Sequence, residues 1–413
     1  MTTDKKIILN TFYQMAGKVS TSVIGVISFA FLARYLQNQL GEYVLISSFV
    51  GFIVVFADLG LGTLLTREIA SKRADEKYIS FIFTLRLLLA VFVTIIGSIA
   101  IFFFPYSIEV KIGVCLLAIA NIFFILAATV WSIFQAELRF EKIVFAQVIS
   151  SVITCILTIA FVLLKLPLLY FVLASSIGIS ICFIATYLSY AKTISLKIDK
   201  KAFLKILKEA WPIGAGVIIS VIYFKIDALI LPFYYNPSTH PDLSYYSTAY
   251  KIFEVAITFG GFYTGTLFPV FSAHLQSKNF ILHFKKHLTF TILLGVAGCS
   301  TLFIFAKLFI FILAGEGFYP ATLALQILSF AAVSSILSGF FLNIAIAGGK
   351  QLLLLKYSFI AAVLNICLNL LIIPKYSFIG ASWTTVVTQL LILIMNIYVA
   401  ILVIKERRST RTL

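Results

Sequence analysis

The chain has 413 residues, of which 61% are hydrophobic and 12% charged, and its mean hydropathy is +1.07. This composition excludes a soluble globular protein and indicates an integral membrane protein. The formal net charge of +16 does not indicate nucleic-acid binding, because the positions of the basic residues between apolar segments account for most of it.

Apolar stretches that can cross about 30 Å of hydrocarbon, which takes roughly 20 helical residues, recur along the whole chain. No small-residue cleavage site follows the first stretch, so we expect a membrane helix there and not a removed signal peptide. The fold class predicted is an all-α integral membrane protein with about twelve transmembrane helices. The predicted spans are 9–34, 41–66, 78–104, 111–135, 143–164, 168–191, 210–232, 243–270, 285–312, 321–348, 352–373 and 377–403.

The 32 Lys and Arg residues are distributed unevenly between the two sides of these spans. The connections on one side hold 23 of them, whereas those on the other side hold five: Arg34, Lys111, Lys165, Lys307 and Lys375. Positive charge stays cytoplasmic when helices insert into a membrane. We therefore predict a multi-pass protein with both termini in the cytoplasm.

The longest polar connection, 192–208, lies halfway along the chain. Its apolar residues, Ile198, Phe203, Ile206 and Leu207, suggest a short interfacial helix with a basic face toward anionic membrane lipids. An ordinary charged linker is the alternative reading.

Short matches at an offset of about 203 residues relate the two halves of the chain. Gly41, Glu42 and Tyr43 correspond to 244–246, and the sequence GTLL at 62–65 corresponds to GTLF at 265–268. We predict two six-helix bundles around a central groove, with domain limits 1–191 and 209–413 and the cytoplasmic linker 192–208 between them. Transporters are often built from such repeats, with the substrate site at the repeat interface.

Seven charged residues inside the spans are the candidate functional residues, because a charge within a membrane is costly and usually functional. The basic ones, Lys18, Lys225, Lys251 and Arg86, suit a cationic patch for an anionic substrate. The acidic ones are Asp227, Glu254 and Asp58.

Each of these charges could instead be paired for structural reasons. Lys251 and Glu254 are three residues apart and can share a helix face, and Lys225 could pair with an acid on another helix. Arg86 is close enough to the inner face to snorkel to it. Asp58 could cap a helix or pair with Arg67.

No catalytic or cofactor-binding constellation is present in the sequence. The five cysteines lie in apolar spans, the four histidines have no metal-type spacing, and no glycine-rich phosphate loop occurs. External loops are also short for an enzyme that must hold a sugar acceptor. We therefore expect no cofactor, no metal and no enzymatic activity.

Several short segments, in order along most of the chain, share one recognisable pattern. They are DLGLG at 58–62 followed by Arg67 and Glu68, YFKID at 223–227, YYSTAYKIFE at 245–254, and Asn365 and Asn369 before Ile373, Pro374, Gly380 and Ala381. With these segments the chain resembles the Wzx-type polysaccharide flippases, which transport repeat units of O-antigen or capsule and belong to the MATE/lipid-flippase superfamily.

This resemblance implies a flippase that moves undecaprenyl-diphosphate-linked oligosaccharide repeat units from the cytoplasmic to the periplasmic leaflet by alternating access. On this reading Lys18, Lys225, Lys251 and Arg86 bind the diphosphate, while Asp227, Glu254 and Asp58 couple an ion gradient. The implied location is the bacterial inner membrane, in lipopolysaccharide biosynthesis. Partners implied are the lipid-linked oligosaccharide, membrane lipids, a polysaccharide polymerase and a chain-length regulator.

Two other functions remain open from the sequence. A multidrug/cation antiporter of the same superfamily would favour acidic over basic cavities. A membrane enzyme of polysaccharide assembly would need a larger external domain.

Overall fold

The computed structural model describes residues 3–190, 193–275, 277 and 280–409, and within these ranges the regular elements are all helices. Lys192, Lys278 and Arg411, which belong to the basic set used for the topology, lie outside the described residues. The first half contains α1 Thr3–Leu36, α2 Leu40–Asp58, α3 Leu61–Ala70, α4 Glu76–Ala100, α5 Ile108–Ala136, α6 Phe140–Leu163 and α7 Leu168–Tyr190. The second contains α8 Lys200–Lys225, α9 Asp227–Tyr234, α10 Asp242–Gly265, α11 Leu267–His274, α12 Phe280–Ile304, α13 Ala306–Ala314, α14 Ala321–Ala347 and α15 Gln351–Ser409.

Ten helical stretches of the described chain are long and apolar enough to cross a membrane. Two of them have twice the usual length, Leu9–Asp58 with 50 residues and Gln351–Arg407 with 57, and each therefore supplies two spans. The backbone of α15 turns at Ser377, whose φ of 49° and ψ of −137° are not helical. The prediction of an all-α membrane protein with about twelve spans is confirmed.

The chain forms two compact units, Met1–Val221 and Ile222–Leu413. In the first unit α5 packs against α2, α4 and α7, and α6 packs against α1. Small residues permit this packing: a Cβ on Gly113 would lie 2.5 Å from Ile46 Cδ1. In the second unit α14 contacts α10, α12 and α15.

Helix α8 differs from its predicted form at its start. It begins at Lys200, so residues 200–208 continue directly into the span and form no separate interfacial helix. Ile206 and Ala210 are buried against Leu61, Leu64 and Leu65. This packing explains why α8 begins before the predicted span, and it places most of α8 in the first unit. The domain limits stated from the sequence stay a prediction.

Helix α8 contains a proline, Pro212, near its middle. Because α8 begins twelve residues earlier, Pro212 lies in the helix interior and cannot donate to the carbonyl of Lys208. Membrane helices tolerate such residues because neighbouring groups compensate for the lost backbone hydrogen bond.

The second predicted span is divided where a continuous helix was expected. Leu59 and Gly60 adopt positive φ values of 44° and 76°, which end α2 and restart the chain as α3. A Cβ on Gly60 would lie 2.5 Å from the backbone nitrogen of Gly214, and a Cβ on Gly214 would lie 2.4 Å from the Leu59 carbonyl oxygen. Glycine is thus required at both positions, because the two backbones touch there.

Candidate functional site

The seven candidate residues divide between the two units. Lys18, Asp58 and Arg86 belong to the first, whereas Lys225, Asp227, Lys251 and Glu254 belong to the second.

Two lysines of the second unit share one carboxylate. Lys225 is the last residue of α8, and Lys251 and Glu254 stand three residues apart on α10. Lys225 Nζ lies 3.9 Å from Glu254 Oε1, and Lys251 Nζ lies 3.5 Å from Glu254 Oε2. The three side chains, which we call the lysine–glutamate cluster, are 51%, 30% and 38% exposed respectively, so the cluster is partly open and carries one net positive charge.

Asp227, two residues beyond Lys225, is held in a different environment. It begins α9 after the interruption at Ile226, and it is 4% exposed. Its Oδ2 accepts a hydrogen bond from the Tyr246 hydroxyl and lies 3.4 Å from Thr385 Oγ1, while its Oδ1 accepts from the Ala228 N–H at 2.8 Å. The carboxylate is therefore solvated by neutral donors, and no cation lies within ion-pair distance among the described residues.

One face of α10 contacts the residues on both sides of the interruption between α8 and α9. Tyr246, Tyr250 and Glu254 stand at intervals of four residues and therefore share a helix face. Tyr246 donates to Asp227, Tyr250 donates to the Phe224 carbonyl at 2.6 Å, and Glu254 pairs with Lys225. Tyr250 thus satisfies a carbonyl near the end of α8, and this face fixes the backbone that carries Lys225.

Tyr246, Tyr250 and Thr385 were not identified as functional residues from the sequence. The four-residue spacing of Tyr246, Tyr250 and Glu254 is a signal that could have found the first two. Thr385 lies 158 residues from Asp227, and no local pattern links them.

Asn365 and Asn369 form a buried hydrogen-bonded group with Thr388. Asn365 donates to Thr388 Oγ1 at 2.9 Å, and Asn369 donates to Asn365 Oδ1 at 3.0 Å. Asn369 Oδ1 is buried and accepts no hydrogen bond from the described residues. These contacts link the two segments of α15 on either side of Ser377.

In the first unit, Asp58 and Arg86 form an ion pair. Arg86 on α4 is 1% exposed, and its Nη2 donates to Asp58 Oδ1, while the Gly60 N–H donates to Asp58 Oδ2 at 3.1 Å. Arg86 Nε and Nη1 are buried without a hydrogen-bond partner among the described residues. A Cβ on Gly62 would lie 3.4 Å from Arg86 Nη1, Asp58 Oδ1 and Ser132 Oγ, so position 62 borders this polar group at ordinary van der Waals distance.

Two of the structural alternatives raised for these residues, snorkelling of Arg86 and an Asp58–Arg67 ion pair, are not observed among the described residues. Arg86 does not snorkel to the membrane surface, because its guanidinium is buried against Asp58. Asp58 pairs with Arg86 and not with Arg67, whose Nη2 lies 2.9 Å from Glu68 Oε1. Arg86 is 28 positions from Asp58 in the sequence, and only helix packing makes them neighbours.

Lys18 differs from the other candidates because it is exposed and has no ion-pair partner in the described part of the chain. Its backbone carbonyl accepts a hydrogen bond from Thr21 Oγ1 at 3.2 Å.

The described residues contain no group of three or more His, Cys, Asp or Glu that could hold a metal ion.

Comparison with protein families identifies a model described as polysaccharide biosynthesis protein, which matches residues 7–274. The chain belongs to this family. A comparison of the sequence with curated proteins gives no match.

Solved structures with the same fold include several membrane transporters. An inward-facing multidrug resistance MATE family transporter of the MOP superfamily has a TM-score of 0.75 at 13% identity, with 94% of this chain and 96% of that chain covered. The lipid II flippase MurJ in an inward closed conformation has a TM-score of 0.76 at 16% identity, with 95% of this chain and 87% of that chain covered. The eukaryotic MATE transporter AtDTX14 has a TM-score of 0.69 at 16% identity, with 99% of this chain and 98% of that chain covered. These similarities establish the fold of this membrane protein of the polysaccharide biosynthesis family.

Proposed function

We propose that this protein is a flippase, not an enzyme, and that it moves undecaprenyl-diphosphate-linked oligosaccharide repeat units from the cytoplasmic to the periplasmic leaflet by alternating access. The observation that carries the proposal is the lysine–glutamate cluster, which presents two ammonium groups beside one carboxylate within a membrane span. A diphosphate diester carries about two negative charges, and an ammonium pair is a suitable partner for it.

The family supports the same substrate class. The family is described by polysaccharide biosynthesis, and the polar head of a lipid-linked sugar cannot cross hydrocarbon unaided. MurJ, whose name states that it flips lipid II, shares the fold, and the MATE transporters show that the fold also serves multidrug resistance.

Lys225 and Lys251 are the proposed primary contacts of the diphosphate. Lys18 is a further contact, since its ammonium has no partner among the described residues. Arg86 has less support as a substrate contact because its guanidinium is buried against Asp58.

Asp227 is the acid that we propose for ion coupling. Its burial makes the charged form costly, so that binding a proton or a cation would neutralise it. Glu254 and Asp58 have less support in this role, because each is engaged by a basic side chain.

The proposed location is the bacterial inner membrane, with both termini cytoplasmic, as the distribution of basic residues implies. A polysaccharide polymerase and a chain-length regulator are the proposed protein partners, and surrounding lipids are the immediate environment.

Gene disruption followed by complementation tests the proposed function. Cells without the protein should retain lipid-linked oligosaccharide on the cytoplasmic side, and the wild-type chain should restore export. Lys225→Ala and Lys251→Ala should cut export while the protein still accumulates in the membrane, and Arg at either position should restore it in part. Lys356→Ala, an exposed lysine elsewhere in the second unit, serves as the matched control.

A changed drug resistance without trapped oligosaccharide would instead identify a multidrug antiporter. The net positive charge of the lysine–glutamate cluster disfavours that function, because cationic drugs are repelled by it.

A further inference from the structure

The two oxygens of Glu254 are divided between the two lysines. Oε1 faces Lys225 Nζ at 3.9 Å and Oε2 faces Lys251 Nζ at 3.5 Å. The carboxylate thus occupies the position between two ammonium groups that a phosphate oxygen would need. A diphosphate binding to both lysines at once must displace Glu254 or share the lysines with it.

The cost of this displacement depends on the charge of the ligand. Two lysines and one glutamate give a net charge of +1. A monoanion that replaces Glu254 exchanges one negative charge for another and gains little electrostatic free energy. A ligand with about two negative charges gains one additional favourable charge interaction, so only it benefits from the exchange.

The membrane contains a large excess of monoanionic competitors. Phosphatidylglycerol has one phosphodiester charge, and basic residues attract anionic lipid headgroups. Two partly exposed lysines without a carboxylate would therefore be occupied by ordinary phospholipid.

We infer that Glu254 is a specificity-determining residue that keeps monoanionic phospholipids off Lys225 and Lys251 and admits a lipid diphosphate. This inference rests on the proposed function, since it concerns the same two lysines. It assigns Glu254 the role of a resident counter-ion that the correct substrate displaces.

The test is a binding measurement on the full-length protein in nanodiscs, with farnesyl diphosphate as the probe. Nanodiscs of phosphatidylcholine alone are compared with an equimolar mixture of phosphatidylcholine and phosphatidylglycerol. In neutral lipid Glu254→Gln should bind the probe about fivefold more tightly than wild type, a change of about 1 kcal/mol, since two partly exposed ion pairs no longer compete. In the anionic mixture Glu254→Gln should lose this gain, whereas wild type should bind equally in both.

Two further variants separate charge from structure. Glu254→Asp keeps the charge and should stay insensitive to phosphatidylglycerol. Glu406→Gln removes another lysine-paired carboxylate, which lies 2.6 Å from Lys350 Nζ, and should behave as wild type.

The inference is overturned if Glu254→Gln binds the probe as wild type does in neutral lipid, or if phosphatidylglycerol does not weaken its binding. Failure of the proposed function has a different signature. In that case Lys225→Ala and Lys251→Ala leave probe affinity unchanged in every lipid, whatever Glu254→Gln does.

Discussion

The ion pair of Asp58 and Arg86 predicts an asymmetric response to mutation. The Arg86 side chain is 2% exposed and the Asp58 side chain is 29% exposed. Asp58→Asn leaves a buried guanidinium without its counter-ion, a change that costs about 3–5 kcal/mol for fully buried pairs. Because Asp58 is partly open to solvent, we expect about 2–3 kcal/mol of destabilisation.

Arg86→Met should have a much smaller effect. It leaves Asp58 with the Gly60 N–H and partial exposure, and it removes Nε and Nη1, which have no partner among the described residues. Each unsatisfied buried donor costs about 1–3 kcal/mol. The net change in the free energy of unfolding should therefore lie within about 1 kcal/mol of zero.

The stability of both variants is measured by thermal unfolding of the purified protein in detergent, with size-exclusion chromatography of a fluorescent fusion as the readout. The exposed pair Arg139–Glu137, with side chains 44% and 46% exposed, provides the control, and Arg139→Met should change stability by less than about 1 kcal/mol. Equal destabilisation by Asp58→Asn and Arg86→Met would refute the reasoning, because it would show that the cost comes from lost pairing and not from a stranded buried charge.

Three further predictions follow from other parts of the molecule. In a background without native cysteines, a membrane-impermeant thiol reagent should label a cysteine at position 238, in place of Ser238, in intact cells and should miss one in place of Lys200; the reverse pattern contradicts the proposed orientation. Gly214→Ala should lower thermal stability, since overpacking costs about 1–3 kcal/mol, whereas Gly51→Ala, with open space around it, should not; equal melting temperatures would argue against the close backbone contact. Asp227→Asn should leave the protein folded but remove the dependence of transport on an ion gradient in proteoliposomes, and an unchanged dependence would exclude Asp227 as the coupling acid.

Interactions between residues close in sequence were predictable from helix geometry. Lys251 and Glu254 are three positions apart, so their ion pair on one face of α10 follows from the helical repeat. The number of spans was predictable for a similar reason, because the apolar length needed to cross a membrane is set by the rise of a helix.

Partners on different helices were decided by packing. Asp58 contacts Arg86 and not the nearer Arg67, and Lys225 shares Glu254 with Lys251. Sequence separation carries no information about such pairs, since any two helices of a bundle can be neighbours. The contact of Asp227 with Tyr246 is likewise visible only after α9 and α10 are packed.

The sequence by itself determined that this chain is an all-α membrane protein and which charged residues stand within its spans, because hydrophobic length and charge placement are local properties. Only the tertiary structure decided where the helices break and which charges meet. The break at Leu59 and Gly60 depends on a backbone contact with Gly214, more than 150 positions away in the chain, and the start of α8 depends on the packing of Ile206 and Ala210. Those contacts form between segments that are distant in sequence, so neither segment alone shows how much they stabilise the fold.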